Sequence, residues 1–222
     1  MSNVVQQKRP KIRGVADIVF CFDCTFSMQP CIDQVKNNVQ TFVHEINNQP
    51  QTVIDWRVRA MGYRDFNFDA EKIINHFPFV NDVASFTNQL AQLRAEGGDD
   101  LPESTLDALW YALKETKWRD KCHKVIVLFT DDDTLPVHKD TIARFNIVGD
   151  VDYLVQELMV NKISLFMFAK SCDAYDMFHS LPKNSKIMMY PNPRDDFKNA
   201  DFKDILSMIA KTISQTVSAR VF

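Results

Sequence analysis

Between residues 125 and 129 the chain reads Val-Ile-Val-Leu-Phe, five apolar side chains without a polar break. A strand points its side chains alternately to opposite faces, so such a run is covered on both sides, which is the condition of a parallel sheet between helical layers. The rest of the chain supplies that arrangement. Strand-length runs occur at about 17–22, 54–63, 163–169 and 186–190, and 73–79 reads as a short strand that Pro78 confines to an edge. Helix-length stretches separate them. Pro30 suits a first helical turn, and Ile32, Val35, Val39, Phe42, Val43 and Ile46 follow at helical spacing as far as Asn47-Asn48. Asp82 can cap a helix carrying Phe86, Leu90 and Leu93 that halts at Gly97-Gly98. Pro102 and Glu103 suit the first turn of the next helix, with Leu106, Leu109, Trp110 and Leu113 on its inner face. Further helices are expected at about 151–160, 175–179 and 200–216, while 134–148 gives no clear pattern.

With 222 residues, 45% of them hydrophobic and 25% charged, the chain has the makeup of one globular domain. The expected division is a flexible N-terminal arm over 1–14 and a single domain over 15–222. A net charge of -3 offers no basic field for nucleic acid or anionic lipid, and Lys8, Arg9, Lys11 and Arg13 read as a solvated tail. No run approaches the roughly 18 apolar residues of a membrane span, and the polar opening lacks the apolar core of a signal peptide. The five cysteines are odd in number and without zinc spacing, so reduced thiols in a cytoplasmic protein are expected.

Ligands of an open parallel sheet bind beyond the carboxyl ends of its strands. Four oxygen-rich segments fall at such places: Asp23-Cys24-Thr25-Phe26-Ser27, Tyr63-Arg64-Asp65, Gly97-Gly98-Asp99-Asp100 and Thr130-Asp131-Asp132-Asp133. They can meet only if the strands at 17–22, 54–63 and 125–129 lie side by side. Two like charges about 4 Å apart repel by roughly 4 kcal/mol at an effective dielectric of 20, a conflict that a divalent cation removes. Oxygen donors favour Mg²⁺, Mn²⁺ or Ca²⁺ over zinc. Hydroxyls from Thr25 and Ser27 would coordinate without cancelling charge, which leaves the ion electrophilic toward a carboxylate from another protein. The plainer reading makes these acids helix caps and solvated loop ends.

At these residues the chain resembles the von Willebrand factor type A family. "DIVFCFDCTFSM" is similar to the Asp-x-Ser/Thr-x-Ser metal-adhesion motif, and "VIVLFTDDD" to the strand and Thr-Asp segment that supplies a later ligand. "GYRDF" and "GGDDLPESTLDAL" look most like an intracellular branch that includes the domains attached to alpha-type kinases. The resemblance implies an open, mostly parallel six-stranded α/β sheet with one short antiparallel edge strand and helices on both faces, and metal-dependent protein binding without catalysis. Carried over by position, it implies Asp23, Thr25, Ser27, Asp100 and Asp131 as metal ligands, with Asp65, Asp99 and Asp132 acting one layer out. Mg²⁺ is the expected ion, with Mn²⁺ or Ca²⁺ as alternatives, and the partner's acidic side chain the expected outside ligand. Phe26 departs from the small glycine common between the hydroxyl residues, and could lid the ion or obstruct a partner. Asp132 stands where Gly or Ala usually follows Thr-Asp, and its extra charge would strengthen metal retention.

Two rival readings stand beside this one. A haloacid-dehalogenase-type phosphotransferase also places an aspartate after its first strand, but needs a second Asp where Thr25 stands and a lysine for which Lys170 is the candidate. A domain with an idle metal site would bind through a helix face or an edge strand. The five histidines are scattered, His138 alone lying near the acidic run, and Met159, Met167, Met177, Met188, Met189 and Met208 read as core fillers.

Overall fold

The all-apolar run does lie at the centre of a sheet. The computed structural model describes residues 12–49, 52–67, 71–97 and 102–219. Its strands are β1 (Ile12–Asp23), β2 (Thr52–Tyr63), β3 (Ile73–Ile74), β4 (His123–Phe129), β5 (Ile163–Lys170) and β6 (Lys186–Tyr190). Its helices are α1 (Gln29–Asn47), α2 (Val83–Gln92), α3 (Thr105–Glu115), α4 (Lys139–Phe145), α5 (Val151–Val160), α6 (Asp173–Asp176), α7 (Pro193–Asn199) and α8 (Phe202–Ala219). The strand order is β3-β2-β1-β4-β5-β6, parallel except for the antiparallel edge strand β3.

The chain leaves β1 toward β2 on one side and returns through α2 and α3 to β4 on the other, so β1 and β4 bound a topological switch point. Register fixes what meets there. Asp23 is opposite Tyr63, and Phe22 is opposite Phe129. The ends of β1, β2 and β4 therefore come level, as convergence of the acidic segments requires.

Alternation along β1 builds both cores. Ile18, Phe20 and Phe22 enter the cluster closed by α1, α2 and α8, while Val19 and Cys21 face the cluster closed by α3 and α5. Phe129 stacks between Phe22 and Phe168 at centroid distances of 5.5 and 4.7 Å, which ties three strands just beneath the site. Cys21 and Cys24 stand in Cys-x-x-Cys spacing, yet they sit in opposite cores as buried free thiols.

Several boundaries differ from the sequence expectation. β1 begins at Ile12, so it takes in three residues assigned to the arm; residues 1–11 lie outside the described part. The strand runs through Asp17 because Arg57 and Arg119 pair with its buried carboxylate at 2.8 and 2.7 Å. α2 does start at an Asp82 cap, whose side chain accepts from Ser85 N–H at 2.8 Å, but it stops at Gln92. α3 starts at Thr105 because the backbone of Glu103 is engaged elsewhere: its N–H donates to Asp133 O (2.8 Å) and its O accepts from Leu135 N–H (2.7 Å). The unreadable 134–148 stretch contains α4, capped by His138, whose Nδ1 accepts from Asp140 N–H. The expected last helix is α8, and a short helix outside the expectation, α7, precedes it. Met167 is buried, but Met159, Met177 and Met188 are exposed, since they fall at a helix end, on a surface turn and on the outer side of the edge strand β6. Among the described residues no helix is long and apolar enough to cross a membrane.

Candidate functional site

Asp23, the last residue of β1, is fully buried and held from two directions. Thr25 N–H donates to Oδ1 at 2.9 Å, and the Thr130 hydroxyl donates to Oδ2 at 3.2 Å. Thr130 continues a hydroxyl chain: its Oγ1 is 3.4 Å from Thr105 Oγ1, which is 2.8 Å from the Tyr63 hydroxyl. That chain links β1, β4, α3 and β2 under the carboxylate. Thr25 Oγ1 and Ser27 Oγ are 3.5 Å apart at the entry to α1. Gly62 has no side chain because a Cβ there would come within 2.7 Å of Cys24 Sγ, so the strand end can lie against the loop that presents Thr25.

Burial pushes the Asp23 carboxyl up to about 7, with the charge of Asp131 adding to the rise. Asp131 is itself raised by burial; the Ser27 hydroxyl and the Arg194 guanidinium offset part of it. Neither Asp131 oxygen has a hydrogen-bond partner of ordinary geometry, and Arg194 Nε stands 3.5 Å from Oδ2. Glu103, placed by its backbone bridge to Thr134, is 1% exposed with an orphaned Oε2. Burial, then Asp23 and Asp131, raises its carboxyl to about 9. Three acids from three segments thus press on one another inside the protein, beside two hydroxyls.

The sequence expectation is met unevenly. Asp23, Thr25, Ser27 and Asp131 converge; Asp99 and Asp100 lie outside the described residues. Asp65 is buried close enough to raise Glu103, and its Oδ1 accepts from Asn67 N–H at 2.6 Å. Asp132 is a correction. Its charge is not spare, for Lys170 Nζ donates to Oδ1 at 2.8 Å and Arg194 Nη2 to Oδ2 at 3.1 Å. Lys170 is thereby committed to Asp132 rather than to Asp23. Phe26 does not fold down as a buried lid, its ring being 65% exposed. Sequence reasoning takes Glu103 only as a first-turn helix acid and does not single out Arg194. Glu103 carried a signal, its place two residues after Leu101 in the acidic segment; Arg194, far off after β6, carried none.

Among the described residues no three acid, His or Cys side chains form a ready-made metal cage. The donors brought together are mixed, with Thr25 and Ser27 hydroxyls beside Asp23, Asp131 and Glu103 carboxyls. Oxygen donors of both kinds, with buried carboxylate oxygens lacking partners, fit a hard divalent cation.

Comparison with known proteins agrees with the topology. The 28% identical alpha-protein kinase vwkA of Dictyostelium discoideum aligns over 115 residues, 52% of this chain and 18% of that protein, so the chain spans under a fifth of its relative. Proximal thread matrix protein 1 of the mussel byssus superposes with a TM-score of 0.59 at 11% identity, covering 91% of this chain and 49% of that one. The SpRpn10 VWA domain superposes with a TM-score of 0.55 at 14% identity, covering 83% and 94%. At these identities the two structures speak for the fold. The family model described as von Willebrand factor A domain matches residues 17–143, more than half of the sequence. The chain belongs to the von Willebrand factor A domain family, whose domains generally mediate protein–protein interaction.

Proposed function

We propose that this domain is a metal-ion-dependent protein-binding module of a cytosolic adaptor or scaffold, without catalytic activity. Asp23, Thr25, Ser27 and Asp131, with Asp100, would hold Mg²⁺, or Mn²⁺ or Ca²⁺ in its place, at the carboxyl edge of the sheet. Asp65 and Asp99 would act one layer out, while Asp132 is taken up by Lys170 and Arg194. The observation that carries this reading is the Asp23–Glu103–Asp131 group, whose carboxyls are all raised by burial, Asp23 and Glu103 further by the charge of Asp131, while three of their oxygens lack hydrogen-bond partners. Buried charge of one sign is unfavourable unless compensated, and functional sites are where such costs are retained.

When bound, the ion supplies a positive centre with a coordination position open to an outside carboxylate. The protein's own part is positional. Thr25 N–H and the Thr130 hydroxyl fix Asp23, while Thr25 and Ser27 present neutral oxygens that leave the positive charge undiminished. Thr25 stands two residues after Asp23, where a phosphotransferase of the dehalogenase type needs an acid, and Lys170 is engaged by Asp132. Both features support a binding role over catalysis.

One observation favours an idle metal site instead: Arg194 and Lys170 already place cations on Asp131 and Asp132. Calorimetric titration of Mg²⁺, Mn²⁺ and Ca²⁺ into chelator-stripped protein, with Asp23→Ala as control, separates the two. Saturable heat in the parent alone, and partner recovery in a pull-down that chelator abolishes, is the expected result. No heat with any ion, or equal recovery with and without chelator, would sink the metal-dependent reading.

A further inference from the structure

Four residues down β2 from the site, Arg59 lies within the protein at 5% exposure. Its guanidinium donates to neutral acceptors: Asn75 O at 3.3 Å, Asn75 Oδ1, and Thr116 Oγ1 at 2.7 Å. Nε is orphaned. Arg59 is the one buried Arg or Lys among the described residues with no carboxylate within 4.0 Å, Arg64 being paired with Glu71 and Glu96. An arginine cannot escape this cost by losing its proton, and the acid that eases it, Glu115, acts only through space and is itself bonded to Arg144 and Asn75.

Beside it opens a cleft of about 370 Å³ between β2, the segment after β3 and the end of α3. Arg57 and Lys117 line it with Arg59. The Arg57 guanidinium lies 4.1 Å from the Phe79 ring centroid. Its Nε and Nη2 are engaged by Asp17, and Nη1 makes no bond among the described residues. Lys117 is exposed and has no ion pair among the described residues. The single acid of the lining, Glu115, is already spent: Arg144 Nε donates to Oε1 at 2.7 Å and Asn75 Nδ2 to Oε2 at 3.1 Å. Three cations thus face one cleft; Arg57 is paired with Asp17 and Glu115 with Arg144, which leaves Arg59 and Lys117 without an ion pair among the described residues.

We infer that this cleft is a second binding site, for a phosphate monoester held between Arg57, Arg59 and Lys117 with its organic group against Phe79. Forked guanidinium donors suit a group with several terminal oxygens, and a dianion matches the surplus positive charge better than a carboxylate does. The phosphate belongs either to a soluble small molecule or to a phosphorylated side chain of a peptide, since both present the same group.

The test is titration of the 222-residue chain in chelator, so that no divalent ion at the other site can take up phosphate. Phenyl phosphate, inorganic phosphate, a phosphoserine peptide and its unphosphorylated form, and acetate are compared at equal ionic strength by calorimetry and by the arginine Nε–H resonances. Saturable binding of phenyl phosphate that shifts the Arg59 signal, with acetate silent, is expected. Lys117→Glu, an exposed position that leaves the fold alone, should weaken it roughly tenfold, the loss of a charge-assisted contact. Tighter binding of the phosphopeptide, or of the free ester, supports the site and assigns its source. No saturable binding of any phosphate, or equal affinity in the parent and Lys117→Glu, overturns the inference. Neither outcome bears on the metal reading, which is measured with ions alone.

Discussion

Replacing Asp23 by Asn should make the metal-free protein more stable while removing its response to divalent ions. The folded-state carboxyl lies at about 7 against 3.8 for the free group, so the folded chain takes up a proton over that window. Because the folded value is the higher, the stability this group lends is fully present below pH 3.8 and is lost as pH rises through about 7. At about 1.36 kcal/mol per unit, the loss above neutral pH comes to about 4 kcal/mol. Asn does not titrate. Its amide can keep both contacts, with Oδ1 accepting from Thr25 N–H and Nδ2 donating to Thr130 Oγ1, which retains Thr105 as a neighbour. Urea denaturation in chelator should therefore find Asp23→Asn the more stable by up to about 4 kcal/mol near pH 8, with the gap closing toward pH 4. Magnesium should raise the melting temperature of the parent and not of the variant. A variant less stable than the parent at pH 8, or a gap independent of pH, would refute the argument that the site stores unfavourable charge.

Three further outcomes can be checked on single variants. Arg194→Ala removes a half-exposed cation 3.5 Å from Asp131 Oδ2, and calorimetry should find divalent ions binding roughly two- to fivefold more tightly; unchanged or weaker binding would count against competition between the two cations. Asp17→Ala strips a buried carboxylate from Arg57 and Arg119 and should cost about 3 kcal/mol in denaturant unfolding. Burial raises the Asp17 carboxyl, but the bonds from Arg57 and Arg119 outweigh it and hold the value below 3.8, so its contribution is present above that pH and fades below it. Phe26→Ala should leave stability within about 0.5 kcal/mol, since the ring is 65% exposed, and any loss in a pull-down would then report direct contact with a partner.

The central strands were legible because apolar side chains on both faces leave a run that no helix of that length requires: 125–129 falls within β4 and 163–169 within β5, and Asp23 was placed at the strand end where β1 does stop. What sequence hid was long-range pairing. Asp17 reads as the first residue of β1, and nothing local announces that Arg57 and Arg119, 40 and 102 residues on, pair with it and let the strand begin earlier. Glu103 reads as a helix-dipole acid because that is the local use of Glu behind Pro, yet a bridge to Thr134 takes its backbone instead. Asp132 reads as surplus charge because Lys170 and Arg194 reach it from β5 and α7, and neither stands near it in the chain.

The loops that carry the donors are tied by backbone bonds as well as by side chains. Cys24 N–H donates to Tyr63 O (2.8 Å), Glu96 N–H to Cys24 O (2.9 Å) and Phe26 N–H to Gly97 O (3.3 Å), where φ is 76° and a side chain would be strained. Glu103 and Leu135 join the segment before α3 to the segment after β4 in the same way. None of these bonds uses a group a cation would need. A site so braced has Asp23, Thr25, Ser27 and Asp131 in place beforehand, and an ion added to them gains affinity from preorganisation rather than from ordering these loops. It follows that chelator should leave the far-ultraviolet circular dichroism and the amide-exchange protection of β1, β2 and β4 unchanged, in contrast to domains whose metal supplies their folding free energy. Loss of protection at the ends of these strands on metal removal would mean that the ion, and not the backbone lattice, holds the loops together.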